Sequence, residues 1–206
     1  CYLTEGYWGR DHGNDEGIPP DGFKRTLMGV YPAGGAFDYG TFESMGAGDG
    51  LGGNGITPIV LSSWMHFLDA EVAGVNTAAG AASTLAGIEN SLNKVNGFAG
   101  SPTMPSGAID AYLAAFQYDW NIAADKMELW AEEFWTTQRG NGIDAYNSYR
   151  RNGYPKNLQP MLETNPGPFP VSMWYPANYA ANNSNVTQKS DVTGRVFWNT
   201  SGPSVD

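Results

Sequence analysis

Residues 57–97 read TPIVLSSWMHFLDAEVAGVNTAAGAASTLAGIENSLNKVNG, and their large apolar side chains recur at steps of three and four. Such spacing lays them along one stripe of an α-helix. Thr57 offers an N-cap oxygen and Pro58 a preset first helical residue, after which Ile59, Leu61, Trp64, Phe67, Leu68 and Val72 run up to Gly74. In the second half Leu85, Ile88, Leu92 and Val95 repeat the step until Gly97 closes the run. The link Gly74-Val75-Asn76 is short, so the spacing predicts an antiparallel helix hairpin. An all-α fold of helix pairs follows from this start.

Working towards the C-terminus, Ser106 is placed to cap a helix carrying Ile109, Tyr112, Leu113 and Phe116. A further amphipathic segment carries Ile122, Met127, Trp130, Phe134 and Trp135 up to Gly140, and the pattern leaves open whether residues 119–121 divide the two. Residues 138–155, QRGNGIDAYNSYRRNGYP, then read as a helix end, a corner and a new helix. Gly140 and Gly142 suit the corner, Asp144 is the expected cap, and Gly153 with Pro155 is the expected stop. Tyr146, Tyr149 and Arg150 fall on one face of that helix. Beyond it, NPGPFP and WYPANYAANNSN hold prolines that regular helix or strand does not tolerate, so residues 154–206 are expected as an extended tail lying on the helices. Tyr146, Tyr149 and Arg150 would dock that tail, with Arg150 or Arg151 pairing to tail carbonyls or to acidic surface.

Towards the N-terminus, residues 1–56 are dominated by Gly, Asp, Asn and Pro clusters such as RDHGNDEGIPPDG and SMGAGDGLGGNG, which predict loops. With residues 57–153 helical and no linker between two halves, residues 1–206 read as a single unit. That length buries roughly two-thirds of the unfolded surface without staples. Cys1 is the one cysteine, which excludes an internal disulfide. A net charge of −10 argues against nucleic acid and anionic lipid as partners, and no run approaches the ~18 apolar residues of a membrane span.

Few residues offer catalysis. There is no Gly-x-Ser-x-Gly elbow, and the histidines are His12, in a polar loop, and His66, in a core helix where a structural role is the plainer reading. The oxygen-rich loop around His12 brings together Asp11, Asp15 and Glu16, which could hold Ca²⁺ although their spacing matches no standard calcium loop; a solvated acidic turn is the plainer alternative. Glycoside cleavage needs two carboxylates about 5 to 10 Å apart, and Glu128, Glu132 and Glu133 are the candidates, with Glu128 and Glu132 on what looks like an ordinary polar face beside Lys126 and Gln138. Three Asn-x-Ser/Thr sequons, at Asn182, Asn185 and Asn199, lie in an Asn-rich tail where they arise by chance. The aromatic loops carry more weight. A sugar ring presents an apolar C–H face that stacks on Trp or Tyr while its hydroxyls take hydrogen bonds, and Tyr7, Trp8 and Arg10 form one such set, with Trp174 and Tyr175 a second. Plugging of the core by these rings is the competing reading.

Taken together, YWGRDHGNDEGIPPDGFKRTLMGVYPAGGAFD, GITPIVLSSWMHFLDAEVA, RGNGIDAYNSYRRNGYP and PFPVSMWYPANYAANNSNV resemble the SusD/RagB-like family, in particular its second SusD-like subgroup. The resemblance spans nearly the whole chain but only the C-terminal part of that family's longer sequences. It implies tetratricopeptide-like helix pairs with long irregular loops, and an outer-membrane lipoprotein facing the cell exterior. The lipid anchor would sit on a preceding segment, so that Cys1 would not carry it. It also implies non-catalytic capture of a nutrient, commonly a glycan, for a SusC-like TonB-dependent transporter. No ligand residue of the family carries over by position. A glycan-processing enzyme, or a structural lid with no ligand of its own, are the competing functions.

Overall fold

The computed structural model describes residues 58–98 and 103–199, and within them the protein is all-α. The first helix, α1 (Ser62–Ala73), begins later than the cap-and-proline pattern predicts. Pro58 is buried and Leu61 is extended, and the carbonyl of Ile59 faces the side-chain amide of Asn141 at 3.4 Å instead of the amide of Ser63. That carbonyl is thereby drawn out of the helical ladder, and the helix starts from Leu61, whose carbonyl accepts from the amides of Trp64 and Met65. Thr57 lies outside the described residues. Ile59 and Val72, which share the apolar spacing, stand in water, so the packed face of α1 is Ser63, Trp64, Phe67 and Ala70.

The reversal into α2 (Ala78–Asn96) is built on Gly74 and Thr77. Gly74 has φ of +86°, a region that costs side-chain-bearing residues and not Gly. Thr77 serves both helices, its hydroxyl lying 2.8 Å from the carbonyl of Gly74 and accepting from the amide of Gly80 at 3.0 Å. The hairpin is antiparallel, as expected. Ser62 bonds Asn90 at its open end, Phe67 lies on Gly87 in the middle, and Gly74 meets Gly80 at the turn. The two glycines permit this closeness, since a Cβ at Gly80 would stand 2.2 Å from the carbonyl oxygen of Gly74 and one at Gly87 2.8 Å from the Phe67 ring.

Two further helices close the core. Before α3 (Ala108–Ile122) it is Gly107, at φ +77°, that takes the cap position, and Ser106 makes no cap bond, because the turn closes through the Ala108 amide on the carbonyl of Pro105. α3 runs through residues 119–121 without a break. The division falls at residues 123–125, where Ala123 turns extended and Asp125 caps α4 (Lys126–Thr137) by accepting from the amide of Met127. Trp64, Phe67, Ala70, Ile88, Phe116, Trp120, Trp130 and Phe134 form the centre of one apolar core. Phe67 stacks on Phe134 with centroids 5.1 Å apart, and two buried indoles find backbone acceptors across the bundle: Trp130 on Phe67 at 3.1 Å and Trp64 on Thr137 at 2.9 Å.

α5 (Gly142–Asn152) starts at Asn141, not at Asp144. Asn141 accepts from the amide of Asp144 and donates to its carboxylate at 2.7 Å, so Asp144 is the third-residue partner of a reciprocal cap. Gly153, at φ +74°, ends the helix as predicted. The tail is not extended throughout, because a short helix, α6 (Ala177–Asn182), starts directly after Pro176. A proline restricts the residue before it and removes its own N–H, and neither obstructs a helix that begins beyond it.

Candidate functional site

Residues 169–192 present aromatic side chains to solvent, and α5 holds the base of that segment. Tyr146 donates its hydroxyl to the carbonyl of Pro170 at 2.5 Å and Arg150 donates to the carbonyl of Val171 at 2.9 Å. Tyr149 meets Phe169 edge-on at 4.9 Å, and Arg150 lies between the rings of Tyr146 and Trp198 at 4.7 and 4.6 Å. The side chain of Asn199, itself buried, donates to the carbonyl of Arg150, which removes that sequon from the surface. Arg151 turns the other way and pairs with Glu71 on α1 at 2.6 Å. One arginine thus takes tail carbonyls and the other takes a carboxylate, as the sequence predicts.

Above this base the tail doubles back. The amides of Val171 and Ser172 both donate to the carbonyl of Val192 at 2.9 Å. Higher up, the side-chain amide of Gln188 accepts from the amide of Tyr175 at 3.1 Å and donates to its carbonyl at 3.0 Å. Both backbone groups of Tyr175 are thereby satisfied by one side chain, which fixes the residue while its ring stays outside. Trp174 is 51 % exposed, Tyr175 40 % and Tyr179 49 %. Tyr175 and Tyr179 stand at 69° with centroids 6.1 Å apart, forming an open corner, and the Lys189 ammonium lies 5.2 Å from the Tyr175 ring centre. Rings this large left in water forgo roughly 25 cal/mol for each Å² of burial, which makes a held cluster of them a candidate contact surface. Tyr175, from the second aromatic set of the sequence, is therefore brought together with Tyr179, Gln188 and Lys189, while Trp174 precedes it as a separately exposed ring. Of these additions Tyr179 was within reach of sequence reasoning, four residues after Tyr175, whereas nothing in the local pattern marks Gln188.

The first aromatic set, Tyr7, Trp8 and Arg10, and the calcium candidates Asp11, Asp15 and Glu16 lie outside the described residues, as do Cys1 and His12. Among the described residues no group of three or more His, Cys, Asp or Glu side chains is placed to hold a metal ion. No described helix is long and apolar enough to cross a membrane.

The carboxylates considered for sugar cleavage are engaged in another task. Glu128 accepts the amide of Lys156 at 2.8 Å, Glu132 accepts the side-chain amide of Asn157, and Asp125 accepts the Tyr154 hydroxyl and the Lys156 ammonium, each at 3.0 Å. Glu128 and Glu132 are half-buried under the start of the tail and Gln138 is buried, so this is not the open polar face their spacing suggests. Glu133 sits apart, accepting from Tyr112 at 2.5 Å; burial pushes its carboxyl above the usual range and, with Glu133 beside it, pushes the Tyr112 hydroxyl up as well. His66 is half-buried on α1 with no hydrogen-bond partner among the described residues.

Set against protein families, curated proteins and solved structures, the chain matches none. The site is accordingly read from its own chemistry. It offers flat apolar faces and a cation on a braced loop.

Proposed function

We propose that the protein captures a nutrient, a glycan in the first place, without cleaving it. The observation that carries this reading is the open corner of Tyr175 and Tyr179, with Tyr175 held in place by the bidentate Gln188 contact to its backbone. A pyranose ring presents an apolar face of C–H groups to such a corner, and the braced backbone lowers the ordering cost on binding. Non-catalytic capture accords with Asp125, Glu128 and Glu132, each of which accepts a hydrogen bond from the start of the tail. The resemblance to SusD/RagB-like proteins supports the same reading and extends it: a tetratricopeptide-like helix arrangement, a lipoprotein on the outer face of the outer membrane, and a SusC-like transporter as the partner that receives the ligand.

The test is isothermal titration of the full chain with a panel of oligosaccharides, each mixture then assayed for new reducing ends. Binding with no new ends is the expected result. Tyr175→Ala and Tyr179→Ala should each weaken it by about 1 to 3 kcal/mol, the scale of one flat ring stacked on an aromatic side chain, with an unaltered melting temperature. Turnover of any oligosaccharide, or affinity indifferent to both substitutions, would refute the proposal.

A further inference from the structure

Resting on that reading, we infer that the glycan taken by the Tyr175–Tyr179 surface is an acidic one, whose carboxylate is met by Lys189. The chain carries 21 acidic residues against 11 Lys and Arg, so a cation at an aromatic surface runs against the protein's overall charge. Its position is built. The amide of Lys189 donates to the same Gln188 oxygen that accepts from Tyr175, which fixes the lysine backbone beside the ring, and its ammonium lies 5.2 Å from the ring centre. Among the described residues it enters neither of the two ion pairs. The nearest carboxylate along the chain, Asp191, is committed elsewhere: one oxygen accepts the amide and hydroxyl of Thr193 at 2.9 and 2.7 Å, and the other accepts the hydroxyl of Ser190 at 3.1 Å. Those bonds hold the Asp191 carboxyl below its usual range, and among the described residues the Lys189 ammonium meets the Tyr175 ring and no carboxylate.

A neutral sugar uses the two rings and leaves the ammonium unanswered. A uronic acid stacked on the corner brings a carboxylate within reach of it. At about 4 Å in water such a pair is worth roughly a fivefold preference, set against the weak, screened repulsion of the remaining surface.

The experiment compares tetramers of galacturonate and of mannuronate with their methyl esters, which keep the ring shape and lose the charge, by titration against the full chain at low salt. The acid form should bind about fivefold tighter than its ester. Lys189→Met should abolish the acid-over-ester preference, and Lys189→Arg should preserve it. Ester bound as well as or better than acid, or a preference that survives Lys189→Met, overturns this inference and leaves the sugar-binding proposal standing. If none of the four ligands binds, while neutral glycans bind in a manner sensitive to Tyr179→Ala, this inference alone fails. If nothing binds at all, both fail.

Discussion

Replacing Arg150 by Met should loosen the tail from the helical bundle. The guanidinium makes one charged hydrogen bond to the carbonyl of Val171 and is held between the rings of Tyr146 and Trp198. A hydrogen bond to a charged group contributes about 1.5 to 3 kcal/mol and each partly exposed cation–π contact about 0.5 to 1. Against these stands the buried Nε of Arg150, which has no partner and whose desolvation cost the substitution removes. With about 1 to 3 kcal/mol for that unpartnered group, the balance is a loss of about 2 kcal/mol, or roughly 4 to 8 °C of melting temperature for a chain of this size if tail and bundle melt together. Arg150→Lys keeps the charge without the planar fork and should fall between the two. Thermal melting paired with limited proteolysis reads both possibilities, since local release of the tail accelerates cleavage even where the bundle melt holds. Arg150→Met with wild-type melting and wild-type resistance to cleavage would show that the aromatic sandwich contributes nothing.

Gly80→Ala should cost more than 3 kcal/mol and Gly87→Ala less, because the first new methyl meets a backbone carbonyl and the second a side-chain ring that has some room to shift; denaturant unfolding ranks them. Asp125 and Glu133 should show opposite pH signatures. The hydrogen bond from Lys156, with that from Tyr154, holds Asp125 low, so its contribution is present above the ordinary carboxylate range and is lost as pH falls through the folded value; the stability gap between wild type and Asp125→Asn should narrow from pH 7 to pH 3. Burial holds Glu133 high, so its contribution is present below the ordinary range and is lost as pH rises through the folded value; Glu133→Gln should therefore gain on the wild type between pH 4 and pH 7 in the same melts.

Where sequence reasoning succeeded and failed has local causes. Gly74, Gly97 and Gly153 are found as helix ends because a break in apolar spacing and a permissive residue coincide there. Starts were harder: Thr57 with Pro58, Ser106 and Asp144 all have the chemistry of a first turn, but Leu61, Gly107 and Asn141 hold the positions, each selected by contacts or turns that spacing does not reveal. The docking face of Tyr146, Tyr149 and Arg150 was legible because its geometry is set within one helix and its targets, the carbonyls of Pro170 and Val171, lie in a proline-rich stretch that forms no regular ladder. The candidate site was half legible. Trp174 and Tyr175 announce themselves by composition, whereas Gln188 reaches them across 13 residues of irregular chain and Lys189 follows it there.

The indole bridge from Trp130 to the carbonyl of Phe67 spans 63 residues of sequence. On a ribosome adding about 5 to 20 residues per second, the α1–α2 hairpin, complete at Asn96, therefore waits roughly 2 to 7 s for Trp130 on the helix that covers its aromatic face. During that interval Phe67 and Trp64 belong to a nascent chain with nothing to stack against. A hairpin with glycine at its tightest crossings and its own Thr77 cap can form from local contacts alone, but its apolar side stays open to holdase chaperones until α4 emerges. Slowing elongation between residues 97 and 126 would lengthen that window, and the yield of folded protein should fall with it.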